Sequence, residues 1–191
     1  MIVRNAKLNL IYMGPYMKKI AVGSVALMLG MLSTQTFAAT GSVAITGAII
    51  DKGCDVVAGS DVLDVDLGVV DASAFEGTVG NTLGSAPVKI VLNNCPAEIT
   101  GVGVAFDGPT NSENTDLLAV QSVDGATGVG VAFYESDSST LVPLHKQSAF
   151  NELAEGQTNI ALNYVAKYMA TSETVVGGNA SAVANFTLVY N

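Results

Sequence analysis

The chain has 191 residues, 49% of them hydrophobic, with no tryptophan and a formal net charge of −9. That length suits one ordinary domain. Eight basic residues against seventeen acidic ones leave no electrostatic footprint for nucleic acid and disfavour an anionic membrane surface.

The first 39 residues read differently from the rest. Met17-Lys18-Lys19 is followed by an apolar run from Ile20 to Leu32 and then by small and polar residues up to Ala38-Ala39. A basic start, a short apolar stretch and small residues before a cut describe a secretory signal peptide. The run is too short for a comfortable membrane span. We expect a start at Met17 and cleavage after Ala38 or Ala39. Cleavage would remove Arg4, Lys7, Lys18 and Lys19. Four lysines would then face all seventeen carboxylates, a net charge of −13.

Export also sets the expectation for Cys54 and Cys95, the two cysteines. In an oxidising compartment a single disulfide is the default. It would close a loop of 41 residues, worth about 4 kcal/mol on the chain-entropy argument. A thiolate metal or catalytic site would need further ligands, and His145 is the one histidine.

Beyond residue 40 the chain alternates with period two between Gly, Asn, Asp and Pro clusters, which is the pattern of strands. Val43, Ile45, Gly47 and Ile49 alternate with Ser42, Ala44, Thr46 and Ala48. Leu63, Val65 and Leu67 alternate with Val62, Asp64 and Asp66. Further strands are predicted over 87–92, 101–106, 128–134, 158–169 and 182–190. Asp107-Gly108-Pro109, Asp124-Gly125 and Gly177-Gly178-Asn179 supply turns. Many short, closely spaced strands indicate an antiparallel sandwich. Gly-Val-Gly-Val-Ala-Phe occurs at 101–106 and again at 128–133, which we read as two strands meeting similar packing demands.

Both ends of this region are apolar. Ala182, Ala184, Phe186, Leu188 and Tyr190 share one face of the last strand, and such a face requires a cover. Gly41, Val43, Ile45, Gly47 and Ile49 form a matching stripe just after the expected cleavage site. Periodicity does not say whether that first strand pairs within its own sheet or elsewhere.

Enzymatic chemistry finds few candidates. His145 sits in a loop-like stretch with no nucleophile and carboxylate at a telling spacing. Asp64 and Asp66 read as the solvated face of a strand. Asp61, Asp64 and Asp66 are separated by residues that suit a strand and not a calcium loop. Gly101-Val102-Gly103 and Gly128-Val129-Gly130 lack the third glycine and the helix of a phosphate loop. Asn179-Ala180-Ser181 and Asn185-Phe186-Thr187 match the glycosylation sequon by chance in this setting. No catalytic residue, metal or cofactor is expected.

From residue 17 onward the motifs resemble the chaperone–usher pilins, in particular the type 1 fimbrial subunits. The signal peptide is followed by an alternating stretch ending at Asp51-Lys52-Gly53-Cys54. Then come Val65-Asp66-Leu67-Gly68 and Val91-Leu92-Asn93-Asn94-Cys95-Pro96. The chain closes with a penultimate Tyr190 and with Gly178 fourteenth from the end, a hallmark pair of the family. Each motif alone is weak; their order and spacing carry the resemblance.

The resemblance implies an all-β fold: an incomplete immunoglobulin-like sandwich lacking its last strand, preceded by an N-terminal donor strand. It implies residues 1–39 as leader, 40–51 as donor extension and 52–191 as the pilin domain. Gly41, Val43, Ile45, Gly47 and Ile49 would enter a neighbour's groove. Gly178, Ala184, Phe186, Leu188 and Tyr190 would edge the chain's own groove and meet a periplasmic chaperone. The implied partners are neighbouring subunits, that chaperone and an outer-membrane usher, and the implied product is a surface fimbria supporting cell adhesion. Cys54 is the fifteenth residue counted from Thr40. So short an extension resembles that of minor, tip-proximal subunits, whereas the body motifs resemble the major subunit. The chain is too short to carry a separate receptor-binding domain. The competing expectation is a self-contained secreted β-sandwich that binds a carbohydrate or protein ligand.

Overall fold

The computed structural model describes residues 46, 47, 49, 52–121 and 123–191. The chain divides into two compact units, Met1–Thr46 and Gly47–Asn191. The expected signal peptide lies outside the described residues, as do Gly41, Val43 and Ile45 of the expected donor strand.

Among the described residues, nine strands and one 3-10 turn are formed. The strands are β1 (Asp55–Val56), β2 (Thr82–Asn93), β3 (Gly101–Asp107), β4 (Leu118–Ala119) and β5 (Val129–Glu135). They continue with β6 (Leu141–Val142), β7 (Asn151–Glu152), β8 (Ile160–Ala170) and β9 (Asn185–Tyr190). One sheet runs β1-β2-β8-β5-β4, with β6 beside β5, and the other runs β7-β3-β9. Every pairing between these strands is antiparallel. The predicted all-β sandwich is therefore present.

Alternation explains which face each strand buries. In β2, Ala86, Val88, Ile90 and Leu92 are buried, while Ser85, Pro87 and Lys89 are exposed. Pro87 is tolerated because β1 pairs only with Leu92 and Asn93, leaving that stretch of β2 with an open edge. In β8, Leu162, Tyr164 and Ala166 face the same core. Tyr164 buries its ring and shares a hydrogen bond of 2.8 Å between its hydroxyl and Ser148 Oγ. The Cys54–Cys95 disulfide forms as expected and joins the chain before β1 to the chain after β2.

The sequence near-repeat has a tertiary meaning. Its two copies fall in β3 and β5, in different sheets. Phe106 and Phe133, the last residue of each copy, stack across the sandwich with centroids 4.1 Å apart and planes inclined by 10°. Tyr164 meets Phe106 edge-on at 5.3 Å. The outward glycines of the repeat are closely covered: a Cβ on Gly103 would lie 3.3 Å from Ser148 O, and one on Gly130 3.1 Å from Leu117 Cβ. Small residues outside and large ones inside are what both strands need.

One predicted strand does not join a sheet. Residues 62–67 are extended, with Leu63, Val65 and Leu67 partly buried against the core and Val62, Asp64 and Asp66 exposed. The periodicity is correct, yet no neighbour completes a ladder. This segment leans across β2 at Gly84, which has φ +64° at a register shift between Leu83 and Ala86. A Cβ there would lie 2.7 Å from Leu67 O, so the position requires glycine on two counts.

Candidate functional site

The core is not sealed along one side. Between the segment 61–70 and the stretch from 175 to 186 lies a groove of about 930 Å³. Its floor is core: Val88, Phe106, Phe133, Ala166 and Tyr168 all reach it. The rest of the core is tightly closed: Leu162 and Val104 are completely buried.

The two lips are built alike. On one, Leu63, Val65 and Leu67 turn inward. On the other, Ala182, Ala184, Phe186, Leu188 and Tyr190 turn inward at every second residue and pack against the same core. Among the described residues, four of the seven exposed large hydrophobics, Val62, Val69, Val176 and Val183, stand on these rims. That concentration marks an interaction site and not scattered surface.

The backbone carries the same message. Among the described residues, β9 pairs with β3 on one side and with no strand on the other. Among the described residues, 61–70 makes no backbone–backbone hydrogen bond. Its amides are served only locally, as where Gly68 N–H donates to Asp66 Oδ1 at 2.8 Å. Two open backbone edges over an apolar floor form a template for one more strand.

Ala184 and Phe186 line the groove, and Leu188 and Tyr190 carry the same inward face on along β9 past its lined stretch; all four are half-buried. Gly178 stands at the far end of that lip, where its chain crosses Gly125 and Ala126; a Cβ would lie 2.5 Å from the Gly125 carbonyl carbon. Gly47 and Ile49 are exposed. Tyr190 contributes more than its periodicity indicated. Its hydroxyl accepts a hydrogen bond of 3.1 Å from the Cys54 amide, and burial raises the phenol's pKa. Burial likewise raises that of Tyr168, which donates to Ala180 O at 3.2 Å and so pins the lip from inside. Sequence reasoning passed over Tyr168 because it shares its strand with other residues of core character.

The remaining sequence candidates assemble nothing catalytic. His145 has φ +62° and lies 3.3 Å from Asp107 on the surface. Asp64 and Asp66 project to solvent from the lip.

A profile described as fimbrial protein matches residues 43–191. Long polar fimbria protein A of Salmonella typhimurium is 35% identical over 179 residues, covering 91% of this chain and 97% of that one. The chain belongs to the fimbrial protein family. Among solved structures, the P pilus rod subunit PapA matches with a TM-score of 0.60 over 73% of this chain and all of that one, at 24% identity, a likeness of fold. A subunit from the structure of a chaperone-usher pilus matches with a TM-score of 0.59 at 25% identity, covering 80% of this chain and 96% of that one. The protein is thus a non-enzymatic structural subunit of a surface fimbria, and its partners are neighbouring pilin subunits.

Proposed function

We propose that this fimbrial subunit polymerises by strand donation: residues 40–50 of one copy fill the groove of the next. The supporting observation is the groove itself, an apolar trough between two open backbone edges. An entering strand would gain main-chain hydrogen bonds on both sides and bury alternate side chains, the mode known as donor-strand complementation. Val43, Ile45 and Ile49 supply such side chains, and Gly47 lets the backbone approach closely. Before assembly the same groove needs a temporary cover, which a periplasmic chaperone provides while an outer-membrane usher orders the exchange. Residues 1–39 act as the export leader and are removed.

The test is refolding of the mature chain with and without a synthetic peptide of residues 40–51. Strand donation predicts that the peptide turns a marginally stable, aggregation-prone monomer into a complex with a clearly higher unfolding midpoint. Ile45→Asp and Ile49→Asp in the chain should then block fibre growth and leave its groove able to take the wild-type peptide. A chain lacking residues 40–50 that folds stably and gains nothing from the peptide would overturn strand donation.

A further inference from the structure

We infer that Tyr190 is a positioning residue for strand exchange: its hydroxyl ties the C-terminal lip of the groove to the root of the N-terminal extension, so that filling one organises the other. This rests on the strand-donation reading of the groove.

The contact joins two parts that belong to different sheets. Tyr190 ends β9, in the β7-β3-β9 sheet. Cys54 leads into β1, at the edge of the larger sheet, and its disulfide to Cys95 anchors it at the end of β2. The extension therefore leaves the body at Lys52-Gly53, beside the last inward residue of the lip. At that place Cys54 N–H donates to Tyr190 Oη at 3.1 Å. A Cβ on Gly53 would stand 2.5 Å from that same oxygen and 2.7 Å from Tyr190 Cζ. Glycine at 53 thus leaves room for the phenol to lie over the chain.

The lip end of this contact depends on the groove. β9 is an edge strand held through β3, with Asn191 N–H donating to Gly101 O at 3.1 Å beyond it. An edge strand with few partners opens locally at low cost. A strand entering the groove would pair the outer edge of β9 and hold it closed. The hydroxyl of Tyr190 would then hold Cys54 and fix where the extension begins. A subunit whose groove is filled thereby presents its own extension from a defined root. The coupling is reciprocal: an ordered root also favours a closed lip.

Exchange of the Cys54 amide hydrogen reads this contact directly. The mature chain, labelled with ¹⁵N, is compared by NMR with and without the unlabelled peptide of residues 40–51, together with Tyr190→Phe. That variant keeps the ring and loses the acceptor. The expected result is that peptide slows exchange at Cys54 by about tenfold or more in the wild type and not in Tyr190→Phe. The amides of Leu92 and Leu162 should respond alike in both proteins, which separates this effect from a general loss of stability. Gly53→Ala, which crowds the phenol, should behave like Tyr190→Phe. Peptide that binds but leaves Cys54 exchange unchanged in the wild type, or slows it equally in Tyr190→Phe, overturns the inference alone. Peptide that does not bind overturns the strand-donation reading and this inference with it. Should neither variant fold, the wild-type comparison decides, since protection at Cys54 must follow groove occupancy.

Discussion

The sheet centred on β2, β8 and β5 and the pair of lips around the groove are made from the same kind of sequence and reach opposite outcomes. In β2 and β8 nine residue pairs face each other in register, and Ile90, Leu92 and Leu162 are wholly buried. In the lips, Leu63, Val65 and Leu67 on one side and Phe186 and Leu188 on the other alternate just as regularly, yet remain half-covered. What separates them is the neighbour. Period-two patterning makes a strand competent to pair; a second backbone edge within about 5 Å makes it a sheet. The lips hold their competence in reserve.

The sharpest way to test this difference is to compare stabilities with the groove empty and with it filled by the 40–51 peptide. The largest effect should come from the disulfide, which fastens the closed region and the root of the extension together. Cys54→Ser with Cys95→Ser should cost about 4 kcal/mol in chemical denaturation of the peptide complex. Next, Leu162→Ala should cost about 3 kcal/mol, and by the same amount whether or not peptide is present, because its surroundings are complete already. Phe186→Ala should break that symmetry. It should cost about 1 kcal/mol in the empty subunit and about twice that when filled, because only an added strand finishes its burial. Equal costs in the two states would mean that the lip is finished without a partner.

The smallest effect concerns acid. Thr140's hydroxyl and amide and the Ser139 amide hold the Asp137 carboxyl well below the ordinary carboxylate range. The Ser73 amide and hydroxyl lower Asp71 as well. A depressed folded pKa contributes stability that is present above the unfolded value and lost as pH falls through the folded one. Thermal melts should therefore be flat from neutrality down to about pH 5 and decline below about pH 4. Asp137→Asn should flatten part of that decline. Both carboxylates lie outside the lips, so their share of the acid limb should be the same in empty and filled subunits, whereas Asp61, also held low and lining the groove, should make any difference between them.

Much of the fold was legible in the residues. The strands around 87–92, 101–106, 128–134 and 158–169 announce themselves because core positions recur at every second residue, and each was found within a few residues of its predicted span. β4, β6 and β7 were not legible, since a two-residue strand carries no period. The groove was legible in its lips and not in its floor. Ala182 to Tyr190 shows a stripe in need of cover, but nothing in the chain near Phe133 or Tyr168 says that these rings face the same trough.

Residue order alone therefore determined an all-β sandwich, one disulfide and two apolar terminal stripes, because alternation, cysteine number and export context act locally along the chain. Tertiary structure decided which stripes find partners. It stacked the two copies of Gly-Val-Gly-Val-Ala-Phe across the core through Phe106 and Phe133. Among the described residues, it left 61–70 without a backbone partner, opened β9 to one side, and brought the Tyr190 hydroxyl to the Cys54 amide across 136 residues of sequence. Pairing needs two edges brought together by the path of the whole chain, and no local pattern encodes that meeting.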